Sequence, residues 1–491
     1  MEFSNLYFLY VWLPLVMLLY FLGRQMRWKN YVLTGFSLFF YAMGQPIYLA
    51  LLIGLTYVNF KLANEIRAGE KLSVLKPVAL NIAVLALFKY LDFFLSFFGI
   101  STADGLLLTM LKWMIRGLNA IGFAFREPTT ILPMGISFFT FSMISYLVDV
   151  YYGRVEPEKS FKKLLMYVSM FPKILQGPIV RYSQVDFQLA HRRMSPRAAF
   201  DGSLRFLVGL SKKVLLADYC GQVIAELSAM GSHTSFIGSW LSAILYMFQI
   251  YFDFSGYSDM AIGLGKIFGF TFCENFDLPY MARSITEFWR RWHMSLGSFF
   301  RDYVYIPLGG NRLGWKRQIL NLLAVWALTG LWHGASWNYV LWGLYFFGLL
   351  VGEKYYRELL EKIHIAGRRA ITLGLLLLGW VIFSHEDFGE LGAALAGMIG
   401  FGSFAGTGVW LKLLNSLPLI AVCTLFCTPW PRKVLGLWRG KCAMTGEEDE
   451  ELTPMKAAYL ASCFAVALLL IWLCTVSLVG NTSAPSIYGN F

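Results

Sequence analysis

Long apolar runs separated by short basic loops recur from one end of this 491-residue chain to the other, and few folds satisfy that pattern. In hydrocarbon every backbone N–H and C=O must find its partner inside the chain, so only helices and closed barrels span a bilayer. Runs of about 20 residues, twice the roughly 10 of a membrane strand, select helices. Hydrophobic residues make up 57% of the chain and charged residues 15%, which excludes an ordinary soluble enzyme. The expectation is an all-α, polytopic membrane bundle of about 10–12 transmembrane helices with re-entrant or interfacial helices added. One domain over 1–491 suits such a bundle better than several water-soluble cores.

The net charge of +12 sits in the short loops, which is the positive-inside pattern and points to a membrane before nucleic acid. Seven cysteines form no CxxC pair and read as packing residues, neither disulfides nor metal ligands. The first run, 6–22, follows Glu2 and precedes Arg24, Arg27 and Lys29, the reverse of a cleavable leader. It reads as a retained helix with the N-terminus extracytoplasmic.

Residues 31–62 read as two helices broken at Gly44-Gln45-Pro46, followed by a basic loop with Lys61, Arg67, Lys71 and Lys76 and a run over 77–100. Segment 106–125 carries Lys112 and Arg116 and fits an interfacial helix as well as a span. A span over 131–152 precedes 164–180, which Pro172, Gly177 and Pro178 break into what reads as a re-entrant segment. Further spans are expected over 203–228, 236–269, 318–352 with a split near Gly334, 370–384, 388–405, 412–428 and 456–479. The acidic run 447–451 reads as part of a solvated loop.

Only six histidines occur, and two have unusual settings. His333 lies in Gly330-Leu331-Trp332-His333-Gly334-Ala335, where an ionisable group is costly and usually functional. Burial favours its neutral form, which can accept a proton as a general base does; the bland alternative is a packing histidine bonded to a carbonyl. His293 lies in Glu287-Phe288-Trp289-Arg290-Arg291-Trp292-His293-Met294-Ser295, inside the polar and aromatic insert 270–318. Alternating Trp and Arg suit a cytoplasmic interface, and the cations suit either lipid headgroups or a phosphorylated donor such as a coenzyme A ester. Asp253 and Asp259 stand in an apolar run and are expected to pair with arginines of the insert. The segment Phe171-Pro172-Lys173-Ile174-Leu175-Gln176-Gly177-Pro178-Ile179-Val180-Arg181 either lines a pocket, with Gln176 and Arg181, or fixes a sharp turn. No Walker loop, HExxH, zinc-type cysteine pattern or GxSxG elbow is present.

Taken together, Leu132-Pro133-Met134-Gly135-Ile136-Ser137, the 171–181 segment, 251–263, Glu287 through Ile306-Pro307-Leu308-Gly309-Gly310-Asn311-Arg312, and 330–343 resemble the membrane-bound O-acyltransferase family, in its bacterial alginate-acetylating branch. The signature stretches fall within 131–181 and 251–343. The resemblance implies that His333 matches the family's catalytic histidine and His293 its second histidine. It implies a funnel joining the two membrane faces, an acyl donor from the cytoplasm (acetyl-coenzyme A, or an acyl carrier protein as in the D-alanyl branch), and acetyl transfer towards an extracytoplasmic polysaccharide, directly or through a partner protein. A bacterial cell membrane is the implied location, where the triplet Asn481-Thr482-Ser483 carries no weight as a glycosylation signal.

On this reading Arg290, Arg291, Trp292, Arg301, Asn311, Arg312, Lys316 and Arg317 are candidates for binding the donor, and Asn321, Trp332 and Asn338 for the pocket wall. No permanently bound cofactor and no metal are expected. The alternatives are a transporter or flippase, since broken helices also mark substrate paths, and a non-catalytic scaffold of an envelope-polysaccharide complex.

Overall fold

A computed structural model describes residues 2–96, 98, 105–120, 132–441 and 454–480. The acidic run 447–451, Cys442 and the triplet at 481–483 lie outside the described residues. Every regular element among the described residues is helical. A π-helical turn at Phe8–Trp12 leads into α1 (Leu13–Leu22), then α2 (Met26–Gly44) and α3 (Pro46–Ala63), with the break at Gln45 where Pro46 opens the next helix. Helix α4 (Lys71–Ser96) begins before the expected start at Pro77, so Lys71 and Lys76 lie within it rather than in a loop. Amphipathic α5 (Leu106–Ala120) follows, then α6 (Ile136–Tyr151), whose residues are nearly all buried.

The stretch read as re-entrant is α7 (Phe161–Ser169), a single turn α8 (Phe171–Ile174) and extended backbone up to α9 (Tyr182–Ala190). Its irregular backbone is buried in protein, the one setting in which such backbone is tolerated at membrane depth. Gly135, at φ 67°, sits where a Cβ would lie 2.1 Å from the Ile174 carbonyl oxygen, so α8 rests directly on the turn before α6.

Helices α10 (Pro196–Ser211), α11 (Asp218–Ala229) and the 32-residue α12 (Phe236–Ile267) build the next layer. A Cβ on Gly209 would come 2.5 Å from the Gly256 carbonyl, and one on Gly202 would come 2.7 Å from that of Gly263, so α10 and α12 approach backbone to backbone through glycines spaced seven apart. The insert contributes α13 (Ile285–Arg291) and α14 (Met294–Phe300). The hairpin α15 (Gly314–His333) and α16 (Trp337–Tyr355) turns at the expected split near Gly334. A short α17 (Arg357–Glu361) leads to α18 (Ile365–Ser384), α19 (Phe388–Met398), α20 (Val409–Phe426), α21 (Trp430–Lys441) and α22 (Pro454–Gly480).

Among the described residues, five helices (α3, α4, α18, α20 and α22) are long and apolar enough to cross a membrane by length and composition, and α4, α20 and α22 present mostly exposed apolar faces. The chain is an integral membrane protein. Six cysteines are described and all are free.

Both aspartates of α12 pair with cations from outside the insert, contrary to expectation. Asp253 meets Lys213 at 3.0 Å, and Asp259 meets Arg205 at 2.9 Å and Lys212 at 2.6 Å, all from the α10–α11 stretch. The glycine contacts press α10 directly against α12, and the two carboxylates take their cations from that neighbouring stretch.

Candidate active site

His333 is the last residue of α15, and two devices hold it. A Cβ on Gly330 would lie 2.5 Å from the Tyr339 carbonyl and one on Gly343 2.5 Å from that of Trp326, so α15 and α16 touch through their backbones one turn before the histidine. From α4, Tyr90 donates to the Leu331 carbonyl at 2.6 Å and Lys89 donates to that of Trp332, satisfying carbonyls left open where the helix ends. His333 Nδ1 lies 2.7 Å from the Thr329 carbonyl oxygen. A carbonyl only accepts, so Nδ1 carries the proton of the neutral ring and Nε2 carries the lone pair.

His293 lies between α13 and α14. Glu353, near the end of α16, accepts from the Ile285 and Thr286 amides at 2.7 and 3.2 Å, and Ser284 Oγ accepts from Glu287 N–H at 3.1 Å, so the start of α13 is capped and docked onto α16. The insert was expected at an exposed interface; instead His293 is 3% exposed and His333 4%, and both line one cavity of about 750 Å³. The Phe254 ring of α12 meets the His293 imidazole edge-on at 4.6 Å, which orients it.

The same cavity reaches the exposed side chains Arg290, Arg301 and Lys354, so it runs from a cationic mouth to a floor with two buried histidines. Arg290 and Lys354 have no carboxylate partner within 4 Å among the described residues. Arg301 is shared with Asp302 at 2.7 Å, and Asp302 also meets Arg181 at 2.7 Å. Burial pushes the Asp302 carboxyl up, but its hydrogen bonds to Arg301 and Arg181 outweigh this and hold it below the usual carboxylate range.

Among the other expected site residues, Trp292 lines the cavity, stacked on Phe288 and in tilted contact with Trp380. Arg291 is turned away, paired with Glu287 at 2.8 Å and Asp277 at 3.5 Å. Asn311, Arg312, Lys316 and Arg317 are exposed and do not line the cavity. Asn321 donates to the Gly310 carbonyl at 2.9 Å and Asn338 to that of Phe383 at 3.1 Å, so each ties a loop or helix end in place. Trp332 packs on Phe138 and Phe141 of α6 behind the site. Gln176 lines a separate cavity of about 70 Å³ with Lys213 and Asp253, and Arg181 clamps the insert through Asp302 and the Tyr303 ring, 5.0 Å away. Sequence reasoning missed Lys89, whose signal was a lone cation in the apolar run Leu87-Phe88-Lys89-Tyr90-Leu91, and Asn275, which had none.

The family described as MBOAT, membrane-bound O-acyltransferase, matches residues 157–385, a span holding both histidines. Over 87% of this chain and 81% of the relative, the chain is 37% identical to a probable alginate O-acetylase AlgI of Pseudomonas syringae pv. tomato. It is 33% identical to a peptidoglycan O-acetyltransferase of Helicobacter pylori, over 81% of this chain and 80% of that one. It is 29% identical to a teichoic acid D-alanyltransferase of Bacillus subtilis, over 52% of this chain and 69% of that one. Joined to the helical membrane fold and its cavity, these likenesses define the class: an integral-membrane O-acyltransferase, not a transporter or a scaffold. The chain belongs to the membrane-bound O-acyltransferase family.

Proposed function

We propose that this protein transfers acetyl groups from acetyl-coenzyme A, presented at the cytoplasmic face of a bacterial membrane, towards hydroxyls of an extracytoplasmic polysaccharide, directly or through a partner protein. The observation that carries this reading is the pairing of two buried imidazoles with a cationic mouth in one cavity. Phosphates of the donor sit at Arg290 and Lys354, cations without a carboxylate of their own. The thioester then reaches inward, where a buried site strengthens each polar interaction.

His333 Nε2, unprotonated because Nδ1 is committed to Thr329, takes the proton of the acceptor hydroxyl as the C–O bond forms. As the C–S bond breaks, the imidazolium returns that proton to the departing sulfur, so the ring ends as it began and the products are an ester and a free thiol. His293 orients the acceptor. Arg290 serves the donor phosphates, whereas Trp292 forms the apolar wall. The names of the relatives, which act on alginate, peptidoglycan and teichoic acid, support a polymer acceptor outside the cytoplasm. The basic residues that follow the first helix support an extracytoplasmic N-terminus.

The test is the purified protein in lipid nanodiscs, without any gradient, given acetyl-coenzyme A and an uncharged oligosaccharide acceptor. Release of free coenzyme A coupled to ester formation is expected. A protein that neither releases thiol nor forms ester under these conditions, while remaining folded, would overturn the reading.

A further inference from the structure

His293 occupies a backbone conformation that side chains with a Cβ avoid: its φ of 43° and ψ of 53° lie in the left-handed region, a conformation with positive φ that among described non-glycine residues only Leu278 shares. One residue over-determines that conformation. Asn275, 1% exposed, accepts the Met294 N–H on its backbone carbonyl at 3.0 Å, and its side-chain Oδ1 accepts the Ser295 N–H at 3.2 Å and the Ser295 hydroxyl at 2.9 Å. It thereby caps α14 from outside the helix and closes the strained turn on both sides.

These bonds also fix which end of the Asn275 amide is which. The Ser295 amide can only donate, so the atom facing it is oxygen, and the other end, Nδ2, donates to Ser258 Oγ at 3.0 Å. His293 Nδ1 lies 3.0 Å from that same Oδ1. Its nitrogen must therefore donate. The remaining ring nitrogen, Nε2, is buried with no hydrogen-bond partner in a residue that lines the cavity.

We infer that Asn275 is a positioning residue that locks His293 as the Nδ1–H tautomer, leaving Nε2 to accept a hydrogen bond from a second hydroxyl of the acceptor, next to the one that His333 deprotonates. This rests on the acyl-transfer reading for its chemistry, though not for its tautomer. Ser295 carries the arrangement further, because its hydroxyl accepts the Ile179 amide at 3.0 Å and so ties the re-entrant segment to the same turn.

The experiment uses the full chain in nanodiscs, ¹⁵N-labelled at histidine, with the His293 signals identified by their loss in His293→Gln. The wild type is expected to show His293 with a protonated Nδ1 and an unprotonated Nε2. In Asn275→Ala that preference is expected to disappear and kcat to fall on the order of 10- to 100-fold with KM within about twofold, the scale of misplacing a reacting group. Asn275→Asp, whose carboxylate accepts the same three bonds, is expected to restore both the tautomer and most of kcat. A wild-type His293 protonated at Nε2, or an Asn275→Ala protein with kcat within twofold of wild type, overturns the inference. If Asn275→Ala does not fold, Asn275→Asp decides: a folded protein with the opposite tautomer overturns it. Absence of acetyl transfer by the wild type would overturn the functional reading while leaving the tautomer result to stand or fall by its spectrum.

Discussion

Arg290 and Lys354 are the cations of the cavity mouth whose charge no carboxylate of the described chain takes up, and Arg301 beside them already spends its guanidinium on Asp302. An anionic donor therefore meets two available charges, not the six arginines and lysines that the insert suggests. Replacing both by alanine is expected to raise KM for acetyl-coenzyme A about three- to tenfold at low salt, since exposed charge pairs contribute about 0.2–1 kcal/mol each, with kcat little changed. The defect should shrink as salt screens the wild-type advantage. Equal KM values at low salt, or a loss confined to kcat, would place the donor phosphates elsewhere. Arg291→Ala, by contrast, removes partners of Glu287 and Asp277 and is expected to leave KM unchanged.

At the level of the element, the α15–α16 hairpin carries His333 to the cavity floor, and its closest approach is at Gly330. Gly330→Val would drive a side chain into the Tyr339 backbone, where nothing yields cheaply; a loss of about 1–3 kcal/mol is expected, with activity lost alongside. A thermal melt and a transfer assay check it, and a variant with wild-type melting and turnover would show that the hairpin contact does not position the histidine. The hairpin itself was legible in the amino-acid sequence, because Gly334 interrupts an otherwise continuous apolar run, and the same logic found the break at Gln45 and the broken 164–180 segment. What escaped were relations between segments far apart in the chain. The partners of Asp253 and Asp259 come from 205–213, and nothing in periodicity ranks one distant cation over another until the glycine seam of α10 and α12 is seen. Asn275 was silent for the same reason: its role exists only once the turn 18 residues on folds back over it.

Across the molecule, buried charge is concentrated where helices meet and scattered ion pairs decorate the outside. Lys213 holds Asp218 at 2.8 Å and Asp253 at 3.0 Å with all three side chains buried, whereas Arg357 and Glu361 pair in solvent. Lys213→Met removes the cation from two buried carboxylates and is expected to cost about 3–5 kcal/mol, while Arg357→Ala should leave stability at the wild-type level. Unfolding followed in mixed micelles would check the contrast, and equal losses would contradict it. The whole bundle, on this account, exists to bring one unprotonated nitrogen of α15 to the end of a cation-mouthed cavity. The most direct test of that claim is acetyl transfer by folded His333→Ala protein in nanodiscs, compared with wild type at saturating acetyl-coenzyme A. A fall in kcat of about 10²–10⁴-fold, with the donor still bound, is the predicted result; turnover within a few fold of wild type would contradict it.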